Sequence, residues 1–91
     1  MKSDQIQNSP SYFIEKDLNI SSFLMASEQM NFIKAERKSN GTVYFYFEPK
    51  DKAEILVAAY WSDQAPGIQP RKLFSAQRDL KNLIFSGGQH G

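Results

Sequence analysis

The chain has no cysteine among its 91 residues, so disulfides, thiolate metal sites and cysteine nucleophiles are excluded together. That usage fits a cytoplasmic protein. Histidine is almost as scarce: the only one, His90, lies in the Gly87–Gly91 tail. No pair of histidines exists to hold zinc, and no imidazole stands within a patterned segment as a general base. No glycine-rich phosphate loop is present, since Gly87-Gly88 follows a helical pattern instead of preceding one. Long apolar runs are missing too. Nothing approaches the roughly 20 apolar residues of a membrane span, and Met1–Pro10 is polar, unlike a signal peptide. Charge of one sign is not in excess: 11 Lys and Arg face 10 Asp and Glu, a net +1. No global field therefore demands nucleic acid or a membrane surface. These absences lead us to expect no enzyme, no metal and no cofactor.

What the sequence does have is rings. Seven Phe, four Tyr and one Trp bring the aromatic share to 13%. A chain of this length forms one domain and buries only about 60–65% of its unfolded surface, so most large apolar side chains are needed in the core.

The pattern predicts a flexible arm over Met1–Ser11, a single α+β domain over 12–86 and a flexible tail over 87–91. Tyr12-Phe13-Ile14 suits a short strand. Asp17 suits a helix N-cap, with Leu18, Ile20, Phe23, Leu24 and Met25 giving that helix an apolar side as far as Glu28. A hairpin follows, Met30–Arg37 and Thr42–Glu48 around Ser39-Asn40-Gly41. Asp51 and Glu54 then have the spacing of a capping box. The helix they begin carries Ala53, Ile55, Leu56, Val57, Ala58, Ala59, Tyr60 and Trp61, apolar over nearly its whole circumference, which predicts a central, buried helix. After a turn at Pro66-Gly67, Pro70 suits the first position of a last helix. Leu73, Ala76, Leu80, Leu83 and Ile84 form its core stripe, and Gly87-Gly88 ends it. The expected order is β-α-β-β-α-α, a small antiparallel sheet with the helices on one face. The carboxylate pairs Glu15/Asp17 and Asp51/Glu54 have sufficient reason as helix caps or first-turn charges.

Strand alternation sets Val43, Phe45 and Phe47 on one side of the hairpin, and Thr42, Tyr44, Tyr46 and Glu48 on the other. A two-residue turn would place Glu36 and Lys34 beside the phenylalanines. A three-residue loop instead places Ala35 beside Phe45 and Ile33 beside Phe47. Burial selects the second register, with Gly41 in the left-handed region. Phe45 and Phe47 are then core, while Phe32, Lys34, Glu36, Tyr44 and Tyr46 form the opposite face, with both tyrosines partly exposed. Either these are ordinary strand residues covered by the arm or a helix, or Phe32, Lys34, Tyr44 and Tyr46 are a stacking surface for unpaired bases. Asn40-Gly41-Thr42-Val43-Tyr44-Phe45-Tyr46-Phe47 is similar to the signature strand of RNA-recognition motifs. It departs where Asn40 replaces a basic residue and Thr42 a stacking aromatic, and a helix stands in place of that fold's final strand. The likeness implies shared strand-to-helix geometry and not membership.

Over Lys16–Phe85 the sequence also resembles a family of small bacterial and phage domains of unknown function. Leu18-x-Ile20-Ser21 with Leu24 matches its first helix, and Gly41-x-Val43-x-Phe45-x-Phe47 its hairpin strand. Leu56-Val57-x-x-Tyr60 matches its middle helix, and Leu80-Lys81-x-Leu83-Ile84 its last. The resemblance implies an α+β domain of bacterial, phage or mobile-element origin. It implies no activity and transfers no functional residue.

On the last helix Phe74 and Phe85 fall outside the core stripe, in a sector shared with Arg71, Arg78 and Lys81. Either the rings pack beneath a neighbouring element, or the sector is a contact surface, since aromatic and Arg side chains are common anchors at interfaces. The function expected is a non-enzymatic binding module with a protein partner. The alternative is a single-stranded nucleic-acid binder that uses the tyrosine face or the basic last helix.

Overall fold

The computed structural model describes residues 11–86. The arm, the tail, the Gly87-Gly88 stop and His90, apart from Ser11, lie outside the described residues. Among these residues the elements are β1 (Phe13–Glu15), α1 (Leu18–Ala26), β2 (Asn31–Arg37), β3 (Val43–Glu48), α2 (Lys50–Trp61) and α3 (Pro70–Phe85). The fold is α+β in the expected order, with an antiparallel sheet arranged β1-β3-β2.

The hairpin closes through the three-residue loop. Ala35 pairs with Phe45 and Arg37 with Val43. The Lys38 N–H donates to the Thr42 carbonyl at 2.9 Å, and the Gly41 N–H to the Lys38 carbonyl at 2.9 Å. Gly41 takes φ +87°, a conformation that costs glycine little. Further along, the register departs from simple alternation. A shift between Phe32 and Lys34 leaves Ile33 as the extra residue of a bulge, and Phe32, not Ile33, pairs with Phe47. The extra residue turns Phe32 onto the helix side of the sheet. Its ring meets those of Phe45 and Phe47 at centroid distances of 6.5 and 5.6 Å.

The core lies between the sheet and the helices. Ala35, Val43, Phe45 and Phe47 pack with Ile20, Phe23, Leu24, Ala53, Leu56 and Leu80. The central helix is α1, which buries Ile20 through Leu24 and Ala26. Asp17 caps it as expected, its carboxylate accepting from the Ile20 N–H at 2.9 Å. Two small polar residues, Ser21 and Ser22, are fully buried. Ser22 donates to the Leu18 carbonyl at 2.7 Å, whereas the Ser21 hydroxyl has no partner, a burden of about 1–3 kcal/mol for a buried polar group.

Two expectations for α2 are corrected. It is not central: only Ala53 and Leu56 are buried on it, and Ile55 and Trp61 are each 69% exposed. It approaches α1 and, across the sheet, β3 and β1, with Ala53 and Leu56 turned inward and Ile55 and Trp61 facing outward. Nor does Asp51 cap it. The helix begins earlier, with Pro49 as N-cap and Asp51 in the first turn, where its charge still meets the helix dipole favourably. At its far end Asp63 takes φ +61°. The Gln64 N–H reaches the Ala59 carbonyl at 2.7 Å and the Asp63 N–H the Tyr60 carbonyl at 3.4 Å, the bond pattern of a Schellman stop.

Helix α3 starts with Pro70 at its first turn and buries Ala76 and Leu80. Leu83 and Ile84 pack against the core from its edge. Side-chain bonds fix it to the rest: Gln77 to Asn19 at 3.1 Å, and Lys72 to Glu28 at 2.9 Å. Arg37 donates to the Ile84 carbonyl at 2.6 Å and to the Gly41 carbonyl at 2.7 Å. Its cation thus ties the hairpin loop to the last turn of α3, the end of a helix that favours positive charge. Among the described residues no helix is long and apolar enough to cross a membrane.

Candidate functional site

Of the residues expected to form a stacking face, two are withdrawn by the fold. Phe32 is turned to the core by the Ile33 bulge, as described. Tyr46 is only 8% exposed, against the expectation of a partly open ring. Its partner Ile14 on β1 occupies the same face, and Tyr12 meets it edge-on at 5.9 Å and 79°. The Lys34 ammonium sits 4.7 Å from its ring centre, and that of Lys38 6.0 Å away. Tyr44 remains half-buried and Lys34 exposed. The Tyr46 ring is thus covered by its neighbours, while Tyr44 stays partly exposed as expected.

The polar centre of that face is Glu36. Its carboxylate accepts from the Tyr46 hydroxyl at 2.7 Å and pairs with Lys38 at 3.0 Å. The Tyr46 bond first, then Lys38, holds the Glu36 carboxyl below its ordinary value of 4.5. In turn, the Glu36 bond pushes Lys38 above its ordinary 10.5. A depressed carboxyl stabilises the fold above its unfolded pKa, and that contribution is lost as pH falls through the folded pKa. In an NMR titration the Glu36 side chain is expected to titrate below the ordinary range. Tyr46→Phe should move its midpoint upward by removing the leading cause; an unchanged midpoint would show that the hydroxyl does not bond the carboxylate.

The second candidate surface holds together. Arg71, Phe74, Arg78, Lys81 and Phe85 are all exposed. Their spacing of three, four, three and four residues lays them in one stripe along α3, roughly opposite the buried Ala76 and Leu80. Phe74 is 65% exposed and Phe85 83%, so neither packs beneath a neighbouring element. The nearest acid on the helix is Asp79, 3.9 Å from the Arg78 guanidinium, with both side chains largely in solvent. Such a pair is worth little.

Sequence reasoning missed what adjoins this stripe. A groove of about 230 Å³ runs between α1, the end of α2, the α2–α3 connection and α3. Phe23, Tyr60, Ile68, Leu73 and Phe74 supply its apolar lining, and Asn19, Ser22 and Gln77 its polar one. Beside it the Tyr60 ring meets Trp61 edge-on at 5.3 Å. Phe74 belongs to both stripe and groove, so an apolar surface runs from α3 across Tyr60 to exposed Trp61. Groove and surface draw residues from four separate segments, and no local period announces that meeting.

Among the described residues no group of His, Asp and Glu is placed to hold a metal ion. No family model, curated protein or solved structure matches this chain.

Proposed function

We propose that this chain is a small non-catalytic binding module that docks a protein partner through the outer stripe of α3 and the groove beside it. The observation that carries the reading is the exposure of Phe74 and Phe85 in line with Arg71, Arg78 and Lys81. Scattered single apolar residues on a surface need no explanation, but clustered large ones mark interaction sites. Aromatic and Arg side chains are also the types that dominate binding energy at interfaces.

The test separates docking from packing. Phe74→Ser and Phe85→Ser should each leave stability within about 0.5 kcal/mol of the parent, as exposed substitutions do. A photo-cross-linking side chain at position 85, in cells producing the chain, should capture a discrete protein that Phe74→Ser abolishes. The same group at Ser39, on the hairpin loop, should not capture it. Unfolding by Phe74→Ser would show that ring to be core, and capture indifferent to position 74 would overturn the proposed surface.

A further inference from the structure

The stripe and the groove also restrict what can occupy them. Building on the docking reading, we infer that the partner element is an acidic amphipathic α-helix, laid along α3 with one large aliphatic side chain seated in the groove.

Arg71, Phe74, Arg78, Lys81 and Phe85 repeat with the 3–4 spacing of a coiled-coil seam. From Arg71 to Phe85 the seam is about 21 Å long at 1.5 Å per residue. A second helix matches that period along its whole length, whereas an extended strand, rising about 3.3 Å per residue with alternate faces, does not. The seam carries three cations and no carboxylate, so the positions that flank the partner's apolar stripe need negative charge. The groove, at about 230 Å³, is below the range of about 300–1,000 Å³ usual for small-molecule sites. It is instead of a size for one or two aliphatic side chains.

Other occupants fit less well. Two copies of α3 back to back would bring six cations into one interface with no carboxylate on either seam. The segment Met1–Pro10 contains one Lys and one Asp, not an acidic complement. For a nucleic acid the cations are suitable but the groove is not. No cation lines it, and its mainly apolar lining suits an aliphatic side chain better than a base with polar edges all round.

The experiment titrates the full chain with labelled peptides of three heptads, read by fluorescence anisotropy. The probe has Leu at the first and fourth heptad positions and Glu at the fifth and seventh. One control replaces Glu by Lys, and another keeps the composition with Leu at alternate positions. The probe should bind saturably, about tenfold or more tighter than either control. Arg78→Glu and Phe74→Ser should each weaken it by about tenfold, and added salt should weaken it further. The emission of Trp61, the only tryptophan in the chain, should change on binding.

Equal binding by the alternating peptide would show general charge attraction and overturn the helical occupant. Tighter binding of a labelled oligothymidylate than of the probe would assign the surface to nucleic acid. Dimerisation in sedimentation that Phe74→Ser abolishes would assign it to a second copy. If the probe fails while position 85 still cross-links a protein in a Phe74-dependent way, the docking surface stands and the acidic helix is wrong.

Discussion

Phe45→Ala is expected to lower the unfolding free energy by about 3–5 kcal/mol, the range for truncating a buried phenylalanine. Phe45 is completely buried. It lies on β3, the middle strand of the sheet, paired with Ala35 on one side and Glu15 on the other. The side chain opposite it on β2 is therefore already small, and the Phe32 ring reaches it from 6.5 Å. Neither neighbour can expand into the vacated space without leaving its own packing, so a cavity is left as well as a loss of burial. Domains of this size are stable by about 5–13 kcal/mol, which makes the variant marginal or unfolded at ambient temperature. Urea denaturation checks it, with the midpoint falling and the slope unchanged if the native state is still compact. If Phe45→Ala costs less than about 1.5 kcal/mol, the ring does not occupy a packed core and the hairpin register is wrong.

That register was legible in the sequence because one residue of slip exchanges the two faces completely. With Phe45 and Phe47 alternating against Tyr44 and Tyr46, only the three-residue loop kept Glu36 off the core. The bulge at Ile33 was not legible. Phe32 and Ile33 are both apolar, and either satisfies burial, so periodicity does not choose between them. The choice rests on how the Phe32 ring fits against Phe45 and Phe47.

The helices divide the same way. The stripe of α3 was readable because Leu73, Ala76, Leu80, Leu83 and Ile84 fill one arc of the helix, which leaves Phe74 and Phe85 outside it among the cations. The pattern misplaces α2, because apolar content within a helix does not say which helix is innermost. Helix α2 has apolar residues nearly all round, yet α1, with Ser21 and Ser22, is the one buried on most sides. Small side chains give α1 its central position by letting neighbours come close. The family likeness expected from the sequence, which no family model matches, rested on positions such as Leu24, Val43, Phe45, Phe47, Leu56 and Leu80, and these are buried. They bear on packing, while the exposed stripe that we propose as the working surface lies almost wholly outside them.

Tyr46→Ser is expected to cost about 2–3 kcal/mol, more than the span of about 1 kcal/mol for strand preferences alone. From alternation the ring was expected to stand half open on the free side of the sheet. In the structure it is held on several sides at once: the Tyr12 edge at 5.9 Å, the Lys34 ammonium at 4.7 Å, and the hydroxyl bond to Glu36 at 2.7 Å. Serine removes the ring contacts and the hydroxyl bond together, and leaves Lys34 and Tyr12 with nothing to cover. Tyr46→Phe isolates the hydroxyl and should cost about 1 kcal/mol, because Glu36 keeps Lys38 as a partner. The difference between the two variants then reports the ring. A double-mutant cycle with Tyr12→Ala should return a coupling of about 0.5–1.5 kcal/mol, the value for an edge-on aromatic pair. A coupling near zero, together with a Tyr46→Ser cost below about 1 kcal/mol, would mean that the face is open in solution. The tyrosines would then be free to stack on a base, and the sheet would rejoin α3 as a candidate binding surface.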